Sequence, residues 1–375
     1  MEINKQVKEL QYSVIRTISE KSAKYQNVIN LTIGEPDIPT PKQLILEALE
    51  LAKNKHFGYP PTAGSVLNRT LAAEHYNKKF GTDFTHENVL FNIGSSEAIS
   101  SAIKTIINPE DEVIIFAPYY PAYPPLVSLA YGIPIIVDIS KNNFKVTLDI
   151  LKSAVTSKTK AIILSNPCNP TGVVMSYEEI KNICDYISEK DIFIIADEIY
   201  NMITFDEYTS FGIFPTIKDK LIITNGFSKS HSMTGWRNGY TIVPKELRQY
   251  FLNASSYNVG SPVALSLEMG NIALNKYDEI DEIVAIYKER AEYMMSALRE
   301  LNYDVVECRG AFYLFVNYEK ISNKNSLDFA MDLLEKTQIA VVPGMAFGVE
   351  GYVRMALTVG IDKLHEAIER IKNFK

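Results

Sequence analysis

Short apolar runs rich in isoleucine and valine recur at wide spacing along the first two thirds of the chain. Seven of them lie between about Val89 and Val243: "NVLFNI", "DEVIIF", "IPIIVDI", "KAIIL", "DIFIIA", "LIIT" and "GYTIV". Runs that are apolar throughout, rather than at every second position, predict strands that are covered on both faces. Helical patterns such as "SSEAISSAIKTI" and "SYEEIKNICDYISEK" lie between several of them. This alternation predicts an α/β fold with a mostly parallel, seven-stranded sheet flanked by helices.

The pattern changes near residue 280. The segment "YDEIDEIVAIYKERAEYMMSALREL" has the period of a long amphipathic helix, and four shorter strand candidates follow it: "YDVVEC", "AFYLFVN", "IAVVPG" and "YVRMAL". We therefore expect a large domain over residues 46–279 and a smaller α+β domain made of residues 1–45 and 280–375. Thr40 and Pro41 predict the start of a helix, with Thr40 as its cap.

Composition limits the classes of partner. The chain has 375 residues, more than one hydrophobic core usually holds, and its formal net charge of −7 argues against a nucleic-acid partner. The three cysteines, Cys168, Cys184 and Cys308, form neither a CxxC pair nor a metal-ligand spacing, so we expect no metal site and a cytoplasmic protein. Without an apolar stretch of about 18 residues or a signal peptide, no membrane association is expected.

Chemically useful residues follow five of the predicted strands directly. In an open α/β sheet, ligands bind at the carboxyl ends of the strands. Each feature alone has an ordinary explanation, such as a helix cap, a buried aromatic loop, an ion pair or a solvated lysine. Their common position at one edge of the sheet favours a shared site. The five features are Gly94-Ser95-Ser96-Glu97 before a helix, the aromatic "APYYPAY", "SNPCNPTG" with Asn166 and Asn169, Asp197 to Tyr200, and Lys229 in "NGFSKSHSMTGWRNGY".

Pyridoxal phosphate (PLP) is a cofactor that needs each of these five features. A lysine amine is mostly protonated at neutral pH, but it can form a Schiff base with a carbonyl compound such as PLP. The phosphate suits a helix N-terminus, and the flat ring suits an aromatic stack. The phenolic oxygen accepts hydrogen bonds from amide and tyrosine donors. The ring nitrogen acts as an electron sink when a carboxylate keeps it protonated. We therefore expect PLP as the cofactor.

The same motifs carry a family resemblance over nearly the whole chain. The segments "IGEPDIPTP", "YPPTAG", "GSSEAI", "NPCNPTG", "DEIY", "SKSHSMTGWRNGY" and "VRMAL" occur in this order. In this the sequence resembles the class I/II PLP-dependent aminotransferases, those built on the aspartate-aminotransferase fold. The "SKSHSMTGWR" segment resembles in particular the bacterial aminotransferase A group, whose members are assigned to N-acetyl-LL-diaminopimelate.

The resemblance implies a role for each matching residue. Lys229 would form the Schiff base and later move the proton between Cα and C4′, Asp197 would pair with the ring nitrogen, and Tyr200 would complete the catalytic set. Ser95, Ser96 and Arg237 would bind the phosphate, and Ser228 would contact the cofactor. Tyr120 would stack on the ring face, and Tyr200 and Asn169 would donate to the phenolic oxygen. Tyr59 would reach the phosphate of the neighbouring subunit, and Gly34, Asn169 and Arg354 would contact the substrate carboxylate.

One position departs from the family pattern. Many members have a serine or threonine three residues before the lysine, with its hydroxyl on the phosphate, and this chain has Gly226 there. We therefore expect one phosphate contact to be missing or supplied by water, and cofactor retention to be somewhat weaker. The implied contact from Tyr59 predicts a homodimer with shared active sites.

The sequence thus predicts transamination between an amino acid and a 2-oxo acid, with glutamate and 2-oxoglutarate as one pair. The other substrate could be N-acetyl-LL-diaminopimelate, which would place the enzyme in lysine biosynthesis, or an aromatic amino acid. A carbon–sulfur β-lyase on the same scaffold stays open, and a non-catalytic PLP-binding regulator is a remote alternative. Val14, Ile15 and Ile33 are candidates for the side-chain pocket, although the packing of an amphipathic helix explains them equally well. Arg16 is a candidate clamp for a second carboxylate, and the sequence favours the alternative that it lies on a helix surface.

Overall fold

The structure is a computed structural model that describes residues 1–10 and 13–374. In these residues no helix is long and apolar enough to cross a membrane. The strands are β1 Ile29–Asn30, β2 Val89–Asn92, β3 Glu112–Ala117, β4 Ile133–Asp138, β5 Thr159–Ser165, β6 Phe193–Asp197, β7 Leu221–Gly226, β8 Gly239–Ile242, β9 Asp304–Val305, β10 Tyr313–Asn317, β11 Ile339–Ala340, β12 Val342–Pro343 and β13 Tyr352–Ala356. The α-helices are α1 Lys5–Lys8, α2 Val14–Ser22, α3 Lys42–Asn54, α4 Val66–Phe80, α5 Gly94–Ile106, α6 Tyr123–Leu129, α7 Leu148–Ala154, α8 Tyr177–Ser188, α9 Arg248–Val259, α10 Ala264–Lys276, α11 Asp281–Glu300, α12 Ser326–Thr337 and α13 Ile361–Lys372.

The seven predicted strands between Val89 and Val243 form one sheet in the order β2-β8-β7-β6-β5-β3-β4. Every neighbouring pair is parallel except the two pairs that include β8, which is antiparallel to both β2 and β7. The predicted α/β class with a mostly parallel, seven-stranded sheet is confirmed. Since parallel neighbours need crossover connections, the helices between the strands cover the faces of the sheet.

Alternate residues of the central strands pack into different apolar clusters. Ile194 and Ala196 of β6 belong to one cluster, and Ile195 belongs to another on the opposite face. The apolar runs therefore mark strands buried on both faces, as predicted. The edge strand β4 differs, because Ile133 and Ile136 are 41% and 42% exposed. The expectation of two covered faces is wrong for this strand, because Ile135 and Val137 pack against an apolar cluster on one face while Ile136 on the other face is exposed.

The C-terminal part of the chain forms a second, antiparallel sheet in the order β12-β13-β10-β9. The N-terminal segment joins this part, because β1 pairs in parallel with β11 and Asp37 accepts two hydrogen bonds from the Arg290 guanidinium, at 2.7 and 2.9 Å. One apolar cluster combines Ile18 and Ile29 with side chains that extend to Ile371. The N-terminal segment and the C-terminal part therefore share one apolar core, and the division at residues 45/46 and 279/280 stays a prediction.

The start of α3 differs from the prediction that Thr40 caps a helix beginning at Pro41. The helix begins at Lys42, and no side chain caps it. The Thr40 hydroxyl donates instead to the Ser232 carbonyl at 2.6 Å. The tertiary contact therefore replaces the local cap, and it attaches the N-terminal segment to the loop that follows Lys229.

Candidate active site

A cavity of about 410 Å³ opens at the carboxyl ends of β2, β3, β5, β6 and β7, where the sequence predicted a shared site. Its walls also include residues of the N-terminal segment and of the C-terminal sheet. Of the twelve predicted site residues, eleven line this cavity: Gly34, Ser95, Ser96, Tyr120, Asn169, Asp197, Tyr200, Ser228, Lys229, Arg237 and Arg354. The twelfth, Tyr59, is 98% exposed in the single chain and does not line it.

Lys229 follows the end of β7 by three residues and extends into the cavity. Its Nζ donates to the Gly34 carbonyl at 2.7 Å, which fixes the amine against the N-terminal segment. Burial and the nearby Arg354 cation lower the pKa of Lys229 to about 8. At pH 7 about a tenth of such an amine is unprotonated, far more than for a solvated lysine.

Asp197 is the last residue of β6 and is 4% exposed. Its carboxylate accepts from the Tyr123 hydroxyl at 2.6 Å and from the Thr224 hydroxyl at 3.4 Å. Burial raises the pKa of Asp197, although these hydrogen bonds act in the opposite direction. The result is a buried acid, fixed in orientation, on the wall of the cavity.

Positive groups converge where α5 begins. The first N–H groups of this 13-residue helix have no partner within the helix, and its dipole favours an anion at this end. The Arg237 guanidinium lies over Gly94, since a Cβ on that glycine would be 2.6 Å from Nη2. Arg237 has φ of 51°, a left-handed conformation that is uncommon for a residue with a side chain. With Ser95 and Ser96 in the first turn, this end of the cavity can bind a phosphate.

Gly226 does not line the cavity, although the sequence suggested a missing phosphate contact there. A Cβ at this position would be 2.7 Å from the Asn238 carbonyl oxygen and 2.8 Å from the Gly239 Cα. A side chain would therefore point into the neighbouring strand rather than toward an anion. The packing explains why this position is glycine, whereas the predicted effect on cofactor retention stays a prediction.

Arg354 is the buried cation at the other end of the cavity, at 3% exposure. Its guanidinium donates to the Thr32 carbonyl at 2.6 Å and to Asn169 Oδ1 at 3.1 Å. Its Nε has no hydrogen-bond partner among the described residues, and no ion pair there neutralises it. A buried cation with only neutral partners is a favourable place for a carboxylate.

Two tyrosines complete the middle of the cavity. The Tyr120 ring packs edge-on against Tyr123, with ring centroids 5.5 Å apart, and burial raises the pKa of Tyr120. The Tyr200 hydroxyl lies 2.8 Å from the Tyr313 hydroxyl, and either can be the donor. Tyr313 was not among the predicted site residues, although "AFYLFVN" was recognised as a strand. The predicted site residues follow strands of the large sheet, whereas Tyr313 begins a strand of the other sheet.

The N-terminal segment forms the remaining wall. Of the candidates from the sequence, Ile15, Arg16 and Ile33 line the cavity and Val14 does not. Arg16 lies on α2 and is exposed. No salt bridge or hydrogen bond to its guanidinium is present in the described part of the chain. An arginine that lines the cavity without a carboxylate partner remains available for a ligand.

The sequence and the fold of this chain are similar to those of known proteins. The family model described as "Aminotransferase class I and II" matches residues 26–371. A Bacillus subtilis protein named "Probable N-acetyl-LL-diaminopimelate aminotransferase" is 36% identical over 99% of this chain and 95% of its own. An aspartate aminotransferase of the same organism is 34% identical over 100% and 99%. The solved structure of a Thermus thermophilus aspartate aminotransferase double mutant superposes with a TM-score of 0.95 at 28% identity, covering 100% of both chains.

The packing around Gly226 predicts that Gly226→Ser lowers stability instead of adding a ligand contact. The serine Cβ would overpack the backbone at Asn238 and Gly239, which costs about 1–3 kcal/mol. Thermal unfolding of the purified protein measures this effect. Gly235→Ser is the matched control, because a Cβ at Gly235 meets nothing within 4 Å. Equal melting temperatures for the two variants would contradict the packing argument.

Proposed function

The chain belongs to the class I and II aminotransferases, and on this premise we propose that it exchanges an amino group between an amino acid and a 2-oxo acid with PLP bound in the cavity described above. One observation supports this most strongly. The Lys229 amine lies in one cavity with the buried Asp197 carboxylate and with the Arg354 guanidinium, which has no carboxylate partner among the described residues. These three groups serve different parts of the same reaction.

The residues of the cavity fit PLP on structural grounds. The α5 N-terminus and Arg237 offer positive charge for the phosphate, and Asp197 offers a fixed carboxylate for the ring nitrogen. Lys229 offers an amine whose lowered pKa favours reaction with a carbonyl group. When bound, PLP supplies an electron-withdrawing ring that stabilises negative charge on the substrate's α carbon. Among the remaining residues, Ser95 and Ser96 would contact the phosphate and Ser228 would contact the cofactor. Tyr120 would lie against the ring face, and Asn169 and Tyr200 would donate to the phenolic oxygen.

The chain's own groups then divide the work. Arg354 binds the substrate α-carboxylate, with Gly34 and Asn169 beside it, and so presents the α carbon to Lys229. The Lys229 amine, unprotonated in part at neutral pH, would take the proton from the substrate α carbon and return it to the cofactor's C4′. Asp197 would place a carboxylate next to the ring nitrogen of the cofactor and so keep that nitrogen protonated. Tyr123 and Thr224 fix the Asp197 carboxylate for this purpose.

The position of Arg16 concerns the choice of substrate. We propose glutamate and 2-oxoglutarate as one substrate pair, with Arg16 binding the second carboxylate across the cavity from Arg354. The other substrate would be N-acetyl-LL-diaminopimelate, as in the name of the Bacillus subtilis relative, or an aromatic amino acid. The first choice would place the enzyme in lysine biosynthesis, and a cytoplasmic location stays a prediction.

A homodimer is the proposed working form, with Tyr59 reaching the phosphate in the partner's cavity. The exposure of Tyr59 in the single chain supports this arrangement. Large apolar side chains are also exposed on the flanking helices α3 and α4, namely Leu46, Leu49, Leu51, Val66 and Leu67. Apolar side chains exposed close together along the chain are typical of a contact surface.

The central prediction concerns Lys229→Ala. The wild-type protein loaded with PLP is expected to be yellow and to change its visible band when L-glutamate is added. Lys229→Ala should lose that band and slow transamination by about two orders of magnitude or more, because the covalent link and the base disappear together. Lys245→Ala removes an exposed lysine outside the cavity and is the control.

Product analysis of the same samples separates the two candidate reactions. Glutamate formed from 2-oxoglutarate supports transamination. Ammonia and pyruvate released from cystathionine, without glutamate formation, would replace the proposal by a β-lyase. A colourless Lys229→Ala protein that transaminated at the wild-type rate would end the proposed mechanism.

The Arg16 proposal is tested by Arg16→Gln. KM for glutamate and 2-oxoglutarate should rise about threefold to tenfold, because an exposed charged contact to the second carboxylate is lost. KM for an aromatic amino donor should not change. Lys21→Gln, on the same helix but outside the cavity, makes the same charge change as a control. If KM for glutamate and 2-oxoglutarate were the same in Arg16→Gln as in Lys21→Gln, Arg16 would not belong to the substrate site.

The dimer is tested by sedimentation equilibrium and by Tyr59→Ala. The wild type should sediment with twice the mass of one chain. Tyr59→Ala should keep that mass and release PLP faster, since it loses a phosphate contact without altering the apolar surface. A monomer at micromolar concentration would contradict the shared-site proposal.

A further inference from the structure

Tyr313 is a buried residue whose ring and hydroxyl contact two different parts of the cavity. It is 1% exposed and lines the cavity at the start of β10. In the C-terminal sheet Tyr313 lies opposite Ala356, and Phe315 lies opposite Arg354. Tyr313 and Arg354 are therefore diagonal neighbours on the same face of the sheet, a separation that long side chains can bridge.

The Tyr313 ring lies against the Arg354 guanidinium. The guanidinium carbon is 4.4 Å from the centre of this ring and 5.0 Å from the centre of the Phe347 ring. A cation near a ring face is attracted by the ring quadrupole, and more strongly where water is excluded. The two rings therefore stabilise the position of the guanidinium without neutralising its charge. A carboxylate in place of Tyr313 would fix Arg354 equally well, but it would compete with the substrate.

The Tyr313 hydroxyl reaches the opposite side of the same space. It lies 2.8 Å from the Tyr200 hydroxyl. It also occupies the space that Gly34 leaves open, since a Cβ on Gly34 would be 2.2 Å from it. The Gly34 carbonyl in turn accepts from Lys229. One side chain thus contacts the arginine, the tyrosine and the loop that positions the amine.

We propose that Tyr313 is a positioning residue that couples Arg354 to Tyr200. Its ring holds the guanidinium for the substrate carboxylate. Its hydroxyl donates to the Tyr200 oxygen, so that the Tyr200 proton points into the cavity toward the cofactor's phenolic oxygen. This inference rests on the proposed function, because it assumes those roles for Arg354 and Tyr200.

Tyr313→Phe isolates the hydroxyl. The ring and its contact with Arg354 stay, so KM for the amino donor should remain within about twofold of wild type. Tyr200 loses an incoming hydrogen bond and becomes a weaker donor, which leaves the phenolic oxygen of PLP more basic. The pH midpoint of the visible band should therefore rise by about half a unit to one unit. A spectroscopic pH titration without substrate measures this shift independently of activity.

Tyr313→Leu removes the ring as well. Its spectroscopic midpoint should move as in Tyr313→Phe, and KM for the amino donor should also rise on the order of tenfold, since the guanidinium loses one ring. Tyr303→Phe is the control, because Tyr303 is buried in the same apolar cluster and does not line the cavity. It should match the wild type in both measurements. Thermal unfolding verifies that each variant is folded.

The outcomes separate the coupling from the proposed function. A wild-type protein without a visible band in the presence of PLP overturns the proposed function and this inference with it. A normal wild-type band with an unmoved midpoint in Tyr313→Phe overturns the coupling alone. If Tyr313→Leu does not fold, the split in Tyr313→Phe, a moved midpoint with unchanged KM, still decides the role of the hydroxyl.

Discussion

The close approach of three backbone segments at Gly94, Gly226 and Gly239 is the constraint on which the cavity depends. Gly226 and Gly239 are paired across β7 and β8, and a Cβ on Gly239 would lie 2.5 Å from the Gly94 carbonyl carbon. Because no side chain separates these segments, the start of α5 lies directly beside the ends of both strands. Lys229 and Arg237 lie on the loop that joins β7 to β8. The glycines therefore place the amine, the guanidinium and the helix N-terminus around one space.

The cavity contains buried charged groups. A core selected only for stability would pair such groups with opposite charges or replace them with apolar residues. Arg354 is buried with carbonyl, amide and aromatic neighbours, and Asp197 is buried with hydroxyl neighbours. Leaving charged groups without opposite charges costs stability, whereas apolar replacements of similar size often do not. The burial of apolar strands on both faces of the sheet offsets this loss of stability. The lowered pKa of Lys229 has the same origin, since burial and the Arg354 cation both disfavour the protonated amine.

The sequence made some parts of this site predictable because their signals are local. A β-branched run predicts a buried strand, and the residues at its carboxyl end lie at the sheet edge, which located Asp197 at the end of β6 and Lys229 three residues after β7. Tyr313 gives no such signal, since it lies within an apolar run and reaches the cavity through the cross-strand register. The role of Gly226 was also not predictable from the sequence. The sequence shows a missing hydroxyl, but the packing alone shows that the Cβ direction leads into β8.

The adjacent acids of the "DEIY" segment show where sequence information ends and strand geometry decides. Asp197 and Glu198 are both buried, and composition does not distinguish them. Successive side chains at the end of a strand point in opposite directions. Asp197 lines the cavity, and Glu198 instead accepts from Tyr76, Ser210 and the Phe211 N–H. Burial raises the pKa of Glu198 to about 7, although it has these donors. A one-residue slip of β6 would exchange the two environments, so the register of this strand determines which acid can face a ligand.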